Sequence, residues 1–402
     1  MTASSTVELG RHVLRVLGDS GPALLHTITG ALLPGDAPED LLQHGLFLQG
    51  QEEEAIHSAL QIPETTLSLT LINTWACNLR CTHCSVLDRL EEEVTQPPDP
   101  GRLAGFVTRY LEERPQTTAI HAHLLGGEPL LDLPGARSLL DVLEGTGVSL
   151  RASVTTNGAI EWSPEVLAVL QRLDRINVSL DGDRISHDRQ RRFLHTDASP
   201  HRAAMGFLTH VLESGLGDRL HVQAAVTDRH ANAAVRGQWY RDLIAIGVPV
   251  GQVQFQSVHP TARIPRGGTA WRAGLGSTTI RTRACCRHRA STHWVVEPNG
   301  DLRPDFYNGP LLGTLDSDPS ELFDAHAQYR RENMPALQDP NCRACPVLGL
   351  CWGGCVQGES VVGSRPSDHC DQAALVERAH ALAAEGALTL LRGRAGCGDE
   401  SA

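Results

Sequence analysis

Three cysteines, Cys77, Cys81 and Cys84, lie in the run Ala76-Cys77-Asn78-Leu79-Arg80-Cys81-Thr82-His83-Cys84, a C-x3-C-x2-C spacing. Three thiolates this close suit an iron–sulfur cluster, because soft sulfur ligands match iron. A cubane holds four irons, so three thiolates leave one iron open to bind and activate a small molecule. Zinc is the plainer alternative, but a zinc site takes four ligands. His83 would be the fourth, and it sits awkwardly between two of the cysteines. A second constellation lies far downstream, where Cys342, Cys345, Cys351 and Cys355 follow a C-x2-C-x5-C-x3-C spacing, with Cys370 beyond. Clustered thiolates repel one another unless a metal neutralises them. A zinc ribbon is the structural alternative there, since C-x2-C pairs are its hallmark.

Three turn-like motifs lie between the cysteine groups. In Leu125-Gly126-Gly127-Glu128-Pro129 the glycines let backbone approach a ligand and the proline fixes the exit. Thr155-Thr156-Asn157-Gly158 and Ser179-Leu180-Asp181-Gly182 close two later strands, and each also reads as a purely structural turn. The run His187-Asp188-Arg189-Gln190-Arg191 follows, where the plainer reading of Arg191 is an exposed helix arginine.

These motifs need elements to position them. Apolar strand-like runs at Leu67–Asn73, Ala119–Leu125, Ser149–Thr155, Arg175–Leu180, Leu220–Thr227 and Gln252–Ser257 alternate with helix-like segments. Examples of the latter are Arg102–Glu113, Gly135–Leu143, Pro164–Leu173 and His201–Ser214. Six βα repeats predict a parallel sheet with right-handed crossovers. Chemistry then sits at the C-terminal strand ends, where the motifs fall. The expected fold is α/β: a partial (βα)6 parallel barrel over 67–258, preceded by a small N-terminal module over 1–66. A loop-rich, Cys-rich C-terminal domain over 259–371 and a helix and tail over 372–402 complete it. Within the N-terminal module, Val7 to Leu17 has helix-like apolar spacing, Gly45-Leu46-Phe47-Leu48 reads as a short strand, and Glu52-Glu53-Glu54 as a solvated helix start. The stretch from His259 to Gly363 has few periodic segments and predicts metal clusters as staples.

The chain has 402 residues, 4% aromatics and a formal net charge of -12. An acidic surface disfavours nucleic acid as a partner. No apolar run of about 18 or more residues suggests a membrane span. The first residues lack a basic region followed by an apolar one, so a cytoplasmic location is expected. Eleven cysteines in a reducing compartment argue for metal or redox chemistry rather than disulfides.

In this order the motifs resemble the radical S-adenosylmethionine (SAM) family, and the second cysteine group resembles the SPASM extension of its peptide-modifying members. The resemblance implies a [4Fe-4S] cluster at Cys77, Cys81 and Cys84, whose open iron chelates SAM. Electron transfer then cleaves SAM to a 5′-deoxyadenosyl radical, which abstracts hydrogen from the substrate. Gly126, Gly127, Glu128 and Pro129 are similar to the motif that binds the SAM amino group. Ser179 and Asp181 are similar to nucleoside-facing positions, with Ser179 on the ribose, and Arg191 would pair with the SAM carboxylate through a bidentate contact. One or two auxiliary iron–sulfur clusters are implied. Cys342, Cys345, Cys351 and Cys370 would ligate one. Cys355 would cross to the other, with Cys285 or Cys286 and a ligand in a Gly-x4-Cys element.

That element is Gly300-Asp301-Leu302-Arg303-Pro304-Asp305-Phe306-Tyr307 here, with Asp305 at the expected cysteine position. Three accounts stay open: Asp305 as an oxygen ligand, a cluster that uses both Cys285 and Cys286 or keeps an iron open, or a degenerate site. The implied function is a maturase that oxidatively modifies or crosslinks side chains of a ribosomally made precursor peptide. Its partners are then that peptide, with a leader held by strand addition to the N-terminal module, and a flavodoxin- or ferredoxin-type reductant. An anaerobic sulfatase-maturing enzyme is the alternative. Asp305-Phe306-Tyr307 is similar to a run found in that group, which makes Asp305 a catalytic base, although 76 residues precede Cys77 here. A non-catalytic zinc or iron–sulfur binding protein is the alternative of another class. Gln254, Gln256, His259 and Tyr307 are candidate substrate-facing residues.

Overall fold

The computed structural model describes residues 9–18, 21–27, 31–34, 50, 65–84, 86–91, 97–226, 233–257, 293–306, 309–333, 339–348, 376 and 380. The chain groups into two compact units. One takes in Met1–Thr65, Thr279–Ser291 and Ala327–Ala402, the other Thr66–Thr278 and Thr292–His326. The expected third domain over 259–371 is thus divided between them.

In the first unit, β1 (Val13–Gly18), β2 (Gly21–His26) and β3 (Ala31–Pro34) form an antiparallel sheet in the order β1-β2-β3. This corrects the helix expected over Val7 to Leu17. Gly18 and Gly21 face each other across a two-residue connection, the spacing of a tight hairpin. Alternation along Val13-Leu14-Arg15-Val16-Leu17 buries Val16 and leaves Arg15 and Leu17 exposed, which a strand does and a helix does not.

The second unit carries the remaining strands. They are β4 (Thr66–Ile72), β5 (Leu79–Cys81), β6 (Ala119–Leu125), β7 (Ser149–Thr156), β8 (Arg175–Ser179), β9 (Arg191–Phe193), β10 (Leu220–Val226), β11 (Val253–Ser257), β12 (His293–Val296), β13 (Asp301–Arg303) and β14 (Gly313–Thr314). Its helices are α1 (Pro100–Glu113), α2 (Leu133–Glu144), α3 (Pro164–Leu170), α4 (Arg184–Gln190), α5 (Pro200–Glu213) and α6 (Ala233–Ala245), with α7 (Pro319–Asn333) beginning in it.

Nine strands form one sheet in the order β11-β10-β8-β7-β6-β4-β12-β13-β14. The six expected strands are adjacent and parallel within it. Asp99, Asp132, Ser163 and Ser199 cap α1, α2, α3 and α5 by accepting a backbone N–H, with proline in each first turn. Short polar caps followed by proline are the strongest local helix starts. Alternate residues of β6 (Ile120, Ala122 and Leu124) are buried in one core with Leu103, Phe106 and Val107 of α1. His121 and His123 occupy the opposite face and are half-buried.

The stretch expected to be loop-rich is partly sheet. β12 lies parallel beside β4, and all four of its residues are buried. β13 and β14 continue the sheet antiparallel. Trp294 packs edge-on against Phe106 and against His326 of α7, so an apolar core holds residues 293–326. α8 (Pro340–Arg343), in the first unit, is a single turn capped by Asp339. Val376 and His380 are helical, and the rest of the expected terminal helix lies outside the described residues, as do Gly45–Leu48 and the acidic triplet. Among the described residues, no helix is long and apolar enough to cross a membrane.

Candidate active site

The triple-cysteine loop leaves β4 through Asn73, Thr74, Trp75 and Ala76, and three strand ends are fastened to it. Gly127 and Glu128 donate their backbone N–H groups to the carbonyls of Thr74 and Ala76 at 3.0 and 2.8 Å. The two backbones approach so closely that a Cβ on Gly127 would lie 2.2 Å from the Ala76 carbonyl oxygen. Gly126 has φ +147°, and a Cβ there would lie 2.4 Å from the Thr74 carbonyl oxygen. Glycine is therefore required at both positions by geometry. The Asn73 amide donates to the carbonyls of Pro129 and Asp132, a tie the sequence reading did not anticipate.

Glu128 is buried, and its carboxylate joins β6 to β7. Oε1 accepts from the Thr156 hydroxyl at 2.7 Å and from Leu130 N, and Oε2 accepts from Asn157 N at 2.7 Å. Burial pushes the carboxyl up to about 7, against the opposing pull of these hydrogen bonds. Asn157 in turn donates its amide to Asn78 at 2.9 Å, with Cys77 Sγ 4.0 Å away. The Thr-Thr-Asn-Gly turn therefore reaches the cysteine loop itself.

The loop's far side is held by a two-stranded antiparallel pair, β5 with β9, in which Cys81 lies opposite Arg191. Thr82 N donates to the Gln190 carbonyl and Leu194 N to that of Asn78. Arg191 is the first residue of β9, and its side chain is 11% exposed, which overturns its reading as an exposed helix arginine. Its guanidinium grips Asp181 through two contacts, Nε–Oδ2 at 2.6 Å and Nη2–Oδ1 at 3.1 Å. Asp181 is fully buried and also accepts from Ala225 N at 2.8 Å. Burial alone would raise the Asp181 carboxyl. The Arg191 guanidinium and then His83 override it and hold it well below the usual carboxylate range. His83 Nε2 lies 3.5 Å from Asp181 Oδ2. Ser179 is half-buried at the end of β8.

The three cysteines are half-buried with free thiols. Burial is the main cause that pushes Cys77 up to about 11, Cys81 up to about 12, and Cys84 upward. Charge on a neighbouring cysteine raises Cys77 and Cys81 further. Cys77 and Cys84 pack against a small apolar cluster of Ile72, Trp75, Val86, Leu90 and Val295. Among the described residues, no three Cys, His, Asp or Glu side chains gather as they would around one metal ion. A multi-iron core spreads its thiolates wider than one ion does, and this soft, water-poor donor set fits such a core.

Beside this cluster lies a buried ionic group that the sequence reading missed. Glu297 accepts from Trp75 Nε1 at 3.2 Å, from Arg89 at 2.5 Å and from Arg303 at 3.1 Å. Phe306 stacks at a tilt on Trp75, 5.8 Å between centroids. Asp305 is buried, and its Oδ1 accepts from Gly309 N at 2.9 Å. In the first unit, Cys342 is buried and Cys345 half-buried, one helical turn apart. The sheet holds their turn: His12 Nδ1 donates to the Cys345 carbonyl at 2.9 Å and the Thr27 hydroxyl to that of Pro346 at 2.6 Å. Cys285, Cys286, Cys351, Cys355, Cys370, His259 and Tyr307 lie outside the described residues, as do the side chains of Gln254 and Gln256.

The mostly parallel sheet, with the triple-cysteine loop after β4, is a fold that this chain shares with solved structures of enzymes that bind AdoMet. No protein-family model and no curated protein matches this chain. Among solved structures, the chain is similar to anSMEcpe with bound AdoMet and Cp18Cys peptide, at 15% identity and a TM-score of 0.58, covering 82% of this chain and 100% of that one. It is also similar to Streptococcus suis SuiB bound to the precursor peptide SuiA, at 14% identity and a TM-score of 0.52, covering 90% of this chain and 98% of that one.

Proposed function

We propose that the protein is a radical SAM peptide maturase, which oxidises or crosslinks side chains of a ribosomally made precursor peptide. One observation carries the reading. The segment from Thr74 to Cys84, which carries the three cysteines, is hydrogen-bonded to the Gly-Gly-Glu turn through Thr74 and Ala76, to the Thr-Thr-Asn-Gly turn through Asn78, and to the β9 strand. Four separate sequence motifs thus meet around three thiols. Cys77, Cys81 and Cys84 would hold a [4Fe-4S] cluster, and the backbone from Gly126 to Pro129, with Ser179, would border its SAM. The cluster and SAM supply a 5′-deoxyadenosyl radical when bound and reduced. The chain's own contribution is to fix the loop, keep water out with Trp75, Val86 and Leu90, and present the peptide. A peptide substrate agrees with the peptides bound in the anSMEcpe and SuiB structures. The N-terminal sheet is suited to a leader, since β1 and β3 are its edge strands among the described residues.

Net loss of two hydrogens from the peptide needs one hydrogen atom passed to C5′ of SAM, then one electron and one proton removed. Auxiliary clusters at Cys342, Cys345, Cys351 and Cys370, and around Cys285, Cys286 and Cys355, would take the electron. A ferredoxin- or flavodoxin-type protein would supply the reducing electron. A cytoplasmic site of action and a partial barrel belong to the same reading. Sulfatase maturation is the second reading. Asp305 favours it, being buried one residue from Phe306, which packs on Trp75 beside the cysteine loop.

The test is anaerobic co-expression with each short peptide encoded near this gene, followed by fragment mass spectrometry. A loss of two hydrogens mapped to peptide side chains is expected. SAM cleavage without any change in peptide mass, together with formylglycine in a sulfatase, would replace this reading with the second. Zinc without iron, and no 5′-deoxyadenosine, would leave a non-catalytic binding protein.

A further inference from the structure

We propose that the buried Arg191–Asp181 pair is a positioning and charge-setting device for the cluster at Cys77, Cys81 and Cys84, rather than a clamp on SAM. The proposal rests on the cluster reading above. Both nitrogens of the guanidinium edge are committed to Asp181, at 2.6 and 3.1 Å. Both carboxylate oxygens are engaged as well: Oδ1 also takes Ala225 N, and Oδ2 faces His83. Asp181 has no exposed surface on which to meet a nucleoside. The pair instead spans the loop's attachment points. Arg191 lies opposite Cys81 in the β5–β9 pair, Asp181 follows the end of β8, and Ala225 lies in β10. A slip of the loop would break the bidentate contact and strand two buried charges, which is costly.

The same geometry places a permanent positive charge next to a cluster ligand. Arg191 faces Cys81 across the β5–β9 pair, and the Asp181 carboxylate that it grips is the counter-charge behind it. His187 is no competing cation. Its Nδ1 accepts the Asp181 N–H at 3.0 Å, so that nitrogen carries no proton, and burial pushes the ring down to about 3. A cluster's reduction adds one electron beside these charges, and net charge is one of the factors that set its potential. Arg191 should ease that reduction and Asp181 should resist it.

The experiment compares wild type with Arg191→Gln, Asp181→Asn and Arg191→Lys after anaerobic reconstitution of the full chain. Iron and sulfide per chain are measured, and the cluster is titrated by potentiometry with electron paramagnetic resonance. The signal that changes on adding SAM identifies the triple-cysteine cluster. The expected result is a lower potential in Arg191→Gln, a higher one in Asp181→Asn and a near-wild-type value in Arg191→Lys. Opposite signs are the signature, because a merely structural role would weaken both variants alike. Unchanged potentials with full iron, or shifts of one sign, would overturn the proposal. If the neutral variants fail to take up iron, Arg191→Lys decides, and a fall in its potential overturns the idea. A wild-type chain with no SAM-sensitive signal would instead sink the cluster reading beneath it.

Discussion

Glu128 Oε2 accepts the backbone N–H of Asn157 at 2.7 Å, and with the Thr156 hydroxyl on Oε1 this ties the residue after β6 to the end of β7. The bond is made by a carboxyl that burial raises from 4.5 to about 7. A raised carboxyl binds its proton more tightly in the folded chain than in the unfolded one. Stability is therefore fullest below about pH 4.5, falls as pH rises toward 7, and then levels off. The loss is on the order of 3 kcal/mol, taken from the shift. Glu128→Gln still accepts from Asn157 N and removes the titration, losing only the weaker Leu130 N–H contact at the other atom, a pH-independent cost. Thermal unfolding of the metal-free protein at pH 5 and pH 8 checks this. The variant should gain on wild type as pH rises, and parallel pH profiles would refute the account.

Gly127→Ala tests whether the turn is held by backbone contact. The added Cβ would meet the carbonyl oxygens of Ala76 and Trp75 at 2.2 and 2.5 Å. Neither is a flexible side-chain tip, so the whole loop must move. Overpacking of this kind costs roughly 1–3 kcal/mol. A folded chain that binds less than about half the wild-type iron is expected. Iron and sulfide assay with circular dichroism measures both, and full iron binding would show the approach to be dispensable.

Much of this arrangement was legible in the sequence, and what was missed shares a physical cause. The six parallel strands and their helices stood out because apolar runs alternate with helices, four of which begin at a short polar cap followed by proline. The meeting of Gly126–Pro129 with the cysteine loop followed from strand order. Val7 to Leu17 was misread because its apolar residues satisfy a helical spacing and a strand alternation at once. The Gly18 and Gly21 pair, with two residues between them, was the signal for a hairpin. β5, β9, β13 and β14 are two or three residues long and form only through their partners, so no local pattern marks them. Trp294 and its neighbours form a four-residue buried strand, too short to separate from a loop. Arg191 looked like a surface residue because its partner, Asp181, becomes a neighbour only after the β5–β9 pair closes.

Glu297 is the next place where chemistry and stability separate. It is buried and accepts from Trp75, Arg89 and Arg303. Glu297→Ala leaves two guanidinium groups without that acceptor, one of them also over the Trp75 ring at 4.7 Å. Removing one partner of a buried ion pair costs about 3–5 kcal/mol. The half-exposed arginines can turn to water, so about 2 kcal/mol is expected, with a lower melting temperature. Urea unfolding of the metal-free chain measures it, and a change below about 0.5 kcal/mol would show that the group is not a structural anchor.

Cys81 and Cys345 should fail differently. Cys81→Ala removes one of only three thiolates, so SAM cleavage should fall to background. Cys345 lies in the first unit, on a turn held by His12 and Thr27. Cys345→Ala should therefore leave some SAM cleavage and abolish modified peptide. 5′-Deoxyadenosine and peptide mass, read from one reaction, separate the outcomes. Retained cleavage in Cys81→Ala would refute the cluster assignment. Unchanged peptide product in Cys345→Ala would show that no auxiliary site at this turn is needed.

Asp305 distinguishes a ligand from a base, and two substitutions divide the cases. Its Oδ1 accepts Gly309 N, and a Cβ on Gly309 would lie 2.9 Å from Oδ2, so the carboxylate is packed inside its own turn. Asp305→Asn preserves shape and one acceptor but cannot take a proton at neutral pH. Asp305→Cys replaces an oxygen donor with a thiolate. A base that removes the proton from the substrate radical predicts that Asn leaves SAM cleavage and iron content intact while product falls by 10²-fold or more, on the order of a general base's contribution. A ligand predicts instead that Asn lowers iron and Cys restores or raises it. The packing of Phe306 on Trp75, beside Cys77 and Cys84, favours the base, because it keeps this turn next to the loop where the radical would form. Loss of product with full iron in Asn would establish that role. Full product in Asn would make Asp305 a structural residue that holds Gly309 N.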